Sequence, residues 1–229
     1  MAAGPVVRVA VIDSGVHATH PHVGGVAGGI GVDDEGSLHE DFVDRLGHGT
    51  AVIAAIKEKA PDAEIYAIKV FDRELSATGR ALVAACEYAL TLNVKIVNLS
   101  LGTQNLDHEA ALTDVIERIC KTGAVVIAAG PHDGVRWLPG ILPGVWAVSL
   151  DWSVPRDRFR LERLRPAGGM FRATGVPRPI PGVPPEKNLR GPSFAVANVS
   201  GIVARLLADE PTGDPAAAVT RAFEDGLLS

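Results

Sequence analysis

Apolar residues along the chain come in two arrangements: short continuous runs that stop at aspartate or glycine, and longer stretches with helical spacing. Val6–Ile12 is unbroken except for Arg8 and ends in Asp13-Ser14-Gly15, which predicts a buried strand and a sharp turn. Ile65–Val70, Lys95–Leu99, Ala124–Ala129 and Val145–Leu150 predict four further strands. Between them, Gly49–Lys59, Thr78–Leu92 and His108–Thr122 read as helices, the last closed by Gly123 in the manner of a C-cap. A final long helix is expected over roughly Ser193–Asp209, preceded by Gly191-Pro192, because proline suits the start of a helix. Strands alternating with helices of these lengths imply an α/β fold of three layers, with a mostly parallel sheet flanked by helices.

Two segments break this rhythm. Val32–Asp44 gathers Asp33, Asp34, Glu35, Glu40, Asp41 and Asp44 and reads as an acidic surface loop. Asp151–Arg190 is rich in proline and arginine, with few helix or strand signals after Arg165. Its eight arginines and Lys187 face four carboxylates, a net of +5 that leaves −10 on the rest of the chain. Neither segment resembles a linker and no repeat is visible, so residues 1–229 are read as a single domain. Only about five residues precede the first strand, and no separate pro-segment is expected.

Composition narrows the picture further. A hydrophobic fraction of 47% with only 5% aromatic residues predicts a core of Ala, Val, Ile and Leu, small enough for helices to lie close to the sheet. The net charge of −5 argues against general nucleic-acid binding, which needs a basic face. No apolar stretch approaches the roughly 20 residues of a membrane span, and no secretory leader is visible, so a cytoplasmic protein without a membrane anchor is expected. Cys86 and Cys120 fall in helical stretches and read as buried free thiols, although the sequence leaves a disulfide between them open.

The candidate chemistry lies in three glycine-marked motifs: V-R-V-A-V-I-D-S-G at Val7–Gly15, G-H-G-T at Gly47–Thr50, and G-P-S-F-A at Gly191–Ala195. They supply Asp13, His48 and Ser193. A serine hydroxyl needs a base to take its proton and a carboxylate to orient that base, so the three form a candidate nucleophile, base and orienter. Asp13 ends a predicted strand, and His48 and Ser193 begin predicted helices, which in an α/β sheet directs all three to the crevice at the strands' carboxyl ends. The first-turn N–H of Ser193 is a candidate oxyanion donor, aided by a helix dipole worth about 0.3–1 kcal/mol. His17, His20 and His22 have metal-like spacing without patterned Cys or Asp partners, and the acidic loop lacks the glycine and terminal glutamate of a calcium loop. No metal or cofactor is therefore expected.

Beyond the triad, the chain carries His20-Pro21, I-V-N-L-S-L-G at Ile96–Gly102, V-V-I-A-A-G at Val125–Gly130, L-P-G-V-W-A-V-S-L at Leu142–Leu150 and V-S-G at Val199–Gly201. In this joint order it resembles the subtilisin-like serine peptidases from Val7 to about Leu207. The resemblance implies a subtilisin-like fold and a serine endopeptidase acting through an acyl-enzyme. It implies that Ser100, Leu101 and Gly102 pair with substrate backbone as an added strand. It also implies that Ala128, Ala129 and Gly130 line the other wall of the pocket for the residue before the scissile bond.

Two positions depart from the family pattern. The asparagine that usually follows A-A-G and donates to the oxyanion is Pro131 here, and the threonine that usually precedes the nucleophile is Pro192. Loss of that asparagine in a subtilisin lowers turnover about 10²–10³-fold. His132, one residue on, is the candidate substitute donor. The expected function is processing of a dedicated peptide or protein substrate, with Arg156–Arg165 as a candidate surface for an acidic, leader-type segment. A slow or inactive peptide- or partner-binding protein, and an acyl-transfer enzyme other than a protease, are the alternatives.

Overall fold

The first apolar run forms β1 (Arg8–Asp13), followed by β2 (Gly28–Val32), β3 (Leu38–His39), α1 (His48–Lys59), β4 (Glu64–Lys69), α2 (Gly79–Thr91) and β5 (Ile96–Leu99). Then come α3 (Glu109–Lys121), β6 (Val125–Ala129), β7 (Val145–Leu150), β8 (Arg160–Arg165), β9 (Gly168–Ala173), α4 (Pro192–Ala208) and α5 (Pro215–Glu224). These come from a computed structural model that describes residues 6–131, 135–165, 168–210 and 212–228. The strands form one sheet in the order β3-β2-β4-β1-β5-β6-β7-β9-β8. From β2 to β9 the neighbours are parallel, and an antiparallel strand closes each edge.

Alternation along the strands sorts side chains between two cores. Val9 and Val11 of β1 face a core shared with α1, α4 and α5, whereas Ala10 and Ile12 face a second core shared with α2 and α3. Because β1 lies between β4 and β5 and is covered on both faces, it reads as a continuous apolar run, as buried parallel strands do. The backbone of Gly201 in α4 passes against α1: a Cβ there would lie 3.0 Å from both the Cα and the carbonyl oxygen of Ile56. The glycine lets the two helices that begin at the candidate chemistry pack tightly.

Four features differ from the expectation. Gly28–Val32 is a strand, because the ring of Phe42 occupies the place of the missing side chain at Gly29, where a Cβ would lie 2.5 Å from it. Within the proline- and arginine-rich segment, Arg160–Arg165 and Gly168–Ala173 pair as β8 and β9, with Phe171 buried against Trp146 and Phe159. The chain also forms α5, whose first turn is capped by Asp214 accepting from Ala216 N–H at 2.9 Å. Asp44, read as part of an acidic surface loop, is only 1% exposed. Cys86 and Cys120 are free thiols, and burial pushes the Cys86 thiol up to about 12.

Lys59, at the end of α1, is buried against Glu58. Burial pushes its ammonium down to about 8; Glu58 opposes that fall, and Arg156 and Arg205 add to it. The unfolded chain, with lysine near its ordinary value of 10.5, binds this proton more tightly than the folded one. Stability from this group therefore rises as pH increases from about 8 to about 10.5, and the full penalty applies below that window. Lys59→Met is expected to stabilise the protein by about 1–3 kcal/mol at pH 7 and to flatten that rise. Urea unfolding at pH 7 and pH 10 measures both, and a less stable variant at pH 7 would show that the Glu58 contact outweighs burial.

Candidate active site

Asp13 is the last residue of β1, and the chain turns at once through Ser14 and Gly15. Gly15 has a φ of 93°, and a Cβ there would lie 2.3 Å from the Phe42 carbonyl oxygen. A Cβ on Gly49 would lie 2.3 Å from the carbonyl oxygen of Gly15. Only two glycines allow the end of β1 to touch the first turn of α1 in this way, and that contact brings Asp13 to His48. His48 Nδ1 lies 2.7 Å from Asp13 Oδ1, which also accepts from Ser14 N–H at 2.7 Å. Asp13 Oδ2 is buried and accepts no hydrogen bond from the described residues.

Burial by itself would push the His48 imidazolium down. The Asp13 hydrogen bond and charge, with the Asp44 charge behind them, outweigh burial and hold His48 above its ordinary value of 6.5.

Asp44 is the site residue that motif reading missed. One carboxylate oxygen accepts from Ser14 Oγ at 2.8 Å, Leu46 N–H at 2.9 Å and Gly47 N–H at 2.8 Å. The other accepts from Thr50 N–H at 2.9 Å and from the Thr50 hydroxyl at 2.6 Å. Gly49 N–H donates in turn to Ser14 Oγ at 2.8 Å. The opening turn of α1 is thus satisfied from outside the helix, and its positive end faces a carboxylate. Burial would raise the Asp44 carboxyl, yet the bonds from Thr50, Leu46 and Ser14 hold it below the ordinary range. The signal was an aspartate just ahead of a helix start, obscured by five other acids in the same stretch.

Ser193 sits in the first turn of α4, where the next N–H, that of Phe194, donates to the Gly191 carbonyl oxygen at 3.0 Å. Its hydroxyl donates to the Ser100 carbonyl oxygen at 2.9 Å, and the Ser100 hydroxyl donates to the Ser193 carbonyl oxygen at 3.1 Å. Behind this reciprocal pair, Asn98 Nδ2 donates to Ser100 Oγ at 2.9 Å, and Ser200 Oγ donates to Asn98 Oδ1 at 2.9 Å. Buried Asn98 and Ser200 therefore pin the start of α4 to the end of β5. The ring of Phe194, next in sequence to Ser193, lies 5.6 Å from that of His48. Asn198 turns away from the site and donates to the carbonyl oxygens of Thr174 and Val176.

His48, Ser193, Ser100, Leu101 and Gly102 line one cleft of about 520 Å³, which Leu75–Gly79, Leu82 and Trp137 also border. Of the two walls expected from the sequence, Ser100–Gly102 reaches this cleft. Ala128, Ala129 and Gly130 are buried at the end of β6 and are not among its lining residues. The Gly140 backbone lies on Ala129: a Cβ at Gly140 would fall 1.9 Å from the Ala129 carbonyl oxygen. Pro131 is exposed and lines a separate cavity with Gly140–Pro143, Arg163 and Arg165. His132 lies outside the described residues. Among the described residues no cluster of His, Cys, Asp or Glu could hold a metal ion, and no helix is long and apolar enough to cross a membrane.

With this geometry in view, comparison with known proteins is specific. A model described as the subtilase family matches residues 4–143. Subtilisin E of Bacillus subtilis (strain 168) is 29% identical over 227 residues, covering 91% of this chain and 57% of its own length. The chain thus spans little more than half of that relative. The solved structure of the prenylagaramide maturation protease PagA is 24% identical, with a TM-score of 0.69 over 93% of this chain and 82% of that one. A lanthipeptide protease is 20% identical, with a TM-score of 0.65 over 89% of this chain and 73% of that one.

Proposed function

The chain belongs to the subtilase family, and on that footing we propose that it is a serine endopeptidase that cuts a dedicated peptide through an acyl-enzyme. Ser193 Oγ would rotate from the Ser100 carbonyl toward His48 and attack the scissile carbonyl as His48 takes its proton. His48 would return that proton to the leaving amine, and water would then release the acyl group by the same route. Asp13 would hold the Nδ1–H tautomer and face the imidazolium. The observation that carries this reading is the 2.7 Å contact of buried Asp13 with His48, which lines the same cleft as Ser193.

The oxyanion hole would be atypical. Ser193 N–H supplies one donor, whereas Pro131 has neither a side-chain donor nor an N–H. The names of the two structural neighbours, both proteases of peptide maturation or lanthipeptides, support a peptide substrate made for this enzyme. Arg163 and Arg165, on the cavity beside Pro131, would favour an acidic segment within it. A second reading, a slow or silent peptide-binding protein, draws on the Ser193 hydroxyl being bonded to Ser100 rather than to His48.

A fluorophosphonate probe separates the two. Labelling of the wild-type protein that disappears in Ser193→Ala supports the peptidase, and labelling of neither protein sinks it. Peptide products identified by mass spectrometry then separate hydrolysis from transfer to another amine. Because His48 sits above 6.5 and must be neutral to accept the proton, the acid limb of kcat/KM is expected above pH 6.5. A limb at or below 6.5 would show that burial dominates over Asp13.

A further inference from the structure

Trp137 lines the cleft beside Ser193. The indole lies against Gly102: a Cβ on that glycine would come within 3.3 Å of Trp137 Cε3 and 3.4 Å of Trp137 Cβ. Trp137 lines the cleft together with His48, Ser193 and Ser100–Gly102. Its backbone is fixed on both sides. Thr103 and Leu138 exchange two N–H···O bonds of 2.9 Å, and Ile141 N–H donates to the Trp137 carbonyl oxygen at 3.1 Å. Leu138, next in the chain, is fully buried in the core with Ala128. The Trp137 backbone is therefore held in place by a strand-like bridge, a turn and a core anchor.

A peptide laid along Ser100–Gly102 turns alternate side chains to opposite faces. On that placement, the residue whose carbonyl meets Ser193 Oγ would send its side chain beside Gly102, toward the space where the indole stands. Tryptophan fills more volume than any other residue, so little depth remains under the scissile bond.

We propose that Trp137 is a specificity-determining residue that closes the pocket for the residue before the scissile bond, so that the substrate carries glycine, alanine or serine there. This rests on the reading of Ser100–Gly102 as the peptide-pairing edge. It excludes the aromatic and large aliphatic residues that a deep apolar pocket would favour. Further along the same cleft, where Leu75, Leu82 and Leu101 line it, larger side chains are accepted.

The test uses the full chain carrying Ser193→Ala, so that binding is read without turnover. Blocked tetrapeptides Ala-Ala-Ala-X with a free carboxylate, where X is Gly, Ala, Leu or Phe, are titrated by calorimetry. Peptides ending in glycine or alanine are expected to bind at least tenfold more tightly than those ending in phenylalanine. Adding Trp137→Gly is expected to shift the phenylalanine-to-alanine ratio about 10²-fold toward phenylalanine, the scale on which apolar pockets discriminate size. Equal or tighter binding of the phenylalanine peptide with Trp137 present overturns the proposal, as does an unchanged ratio in a folded Trp137→Gly protein or failure of all four peptides to bind. If Trp137→Gly does not fold, the order of the four peptides on the Trp137 protein decides alone. Failure of the peptidase reading is seen separately, as absent fluorophosphonate labelling with the binding order intact.

Discussion

Replacing His48 by alanine is expected to lower kcat about 10⁶-fold, and adding Ser193→Ala is expected to lower it no further. The two residues act as a unit: without the imidazole, the hydroxyl has no acceptor for its proton, and without the hydroxyl, the imidazole has nothing to activate. Ser193 is bonded to the Ser100 carbonyl, which is no base, so on the proposed mechanism His48 would take its proton during attack. Single-turnover kinetics on a cleaved peptide, comparing both single variants with the double, measures the coupling. A double variant tenfold or more below either single would mean that the two contribute separately and that a different base serves Ser193.

Asp13→Asn is expected to cost about 10⁴-fold in kcat and to move the acid limb to lower pH. The local geometry gives this variant a particular character. Ser14 N–H donates to Asp13 Oδ1, so an asparagine in this place is held with its oxygen toward Ser14 and His48. Its NH₂ then occupies the buried place of Oδ2, which accepts no hydrogen bond from the described residues in the wild-type protein. The His48 tautomer is then kept, but the negative charge that would stabilise the imidazolium is gone and a polar NH₂ is placed in a buried position. A pH–rate profile separates the two effects: loss of charge lowers the limb, whereas misorientation alone lowers the rate at every pH. A rate within tenfold of wild type would remove Asp13 from the mechanism.

Much of this was legible in the sequence wherever a residue's neighbours in the chain were also its constraints in space. β1, β4, β5, β6 and β7 are buried on both faces, and each appears as an apolar run within a residue or two of its observed limits. Asp13, His48 and Ser193 stood out because each is flanked by the glycine or proline that its turn demands. What stayed hidden depends on residues distant in sequence. β2 depends on a phenylalanine ring covering Gly29, and β8 is an exposed edge whose arginines mask its alternation. Asp44 was one acid among six until Ser14 and Thr50 closed around it. Asn98 and Ser200 lay inside family-like motifs without a role of their own, and Trp137 lay outside any; only the packing of β5 against α4 and of Trp137 against Gly102 gives them one.

The joining of Ser193 to Ser100 also has a consequence for timing. Asp13 and His48 are 35 residues apart, whereas Ser193 follows the Ser100 to which it is bonded by 93 residues. At ribosomal speeds of roughly 5–20 residues per second, the nucleophile leaves the exit tunnel on the order of ten seconds after its base. A nascent chain ending short of Pro192 already contains β1, β4 and β5 with both Asp13 and His48, but it lacks Ser193. On the proposed mechanism, cutting ability would arrive only with α4, the helix that packs against β5, β6 and β7.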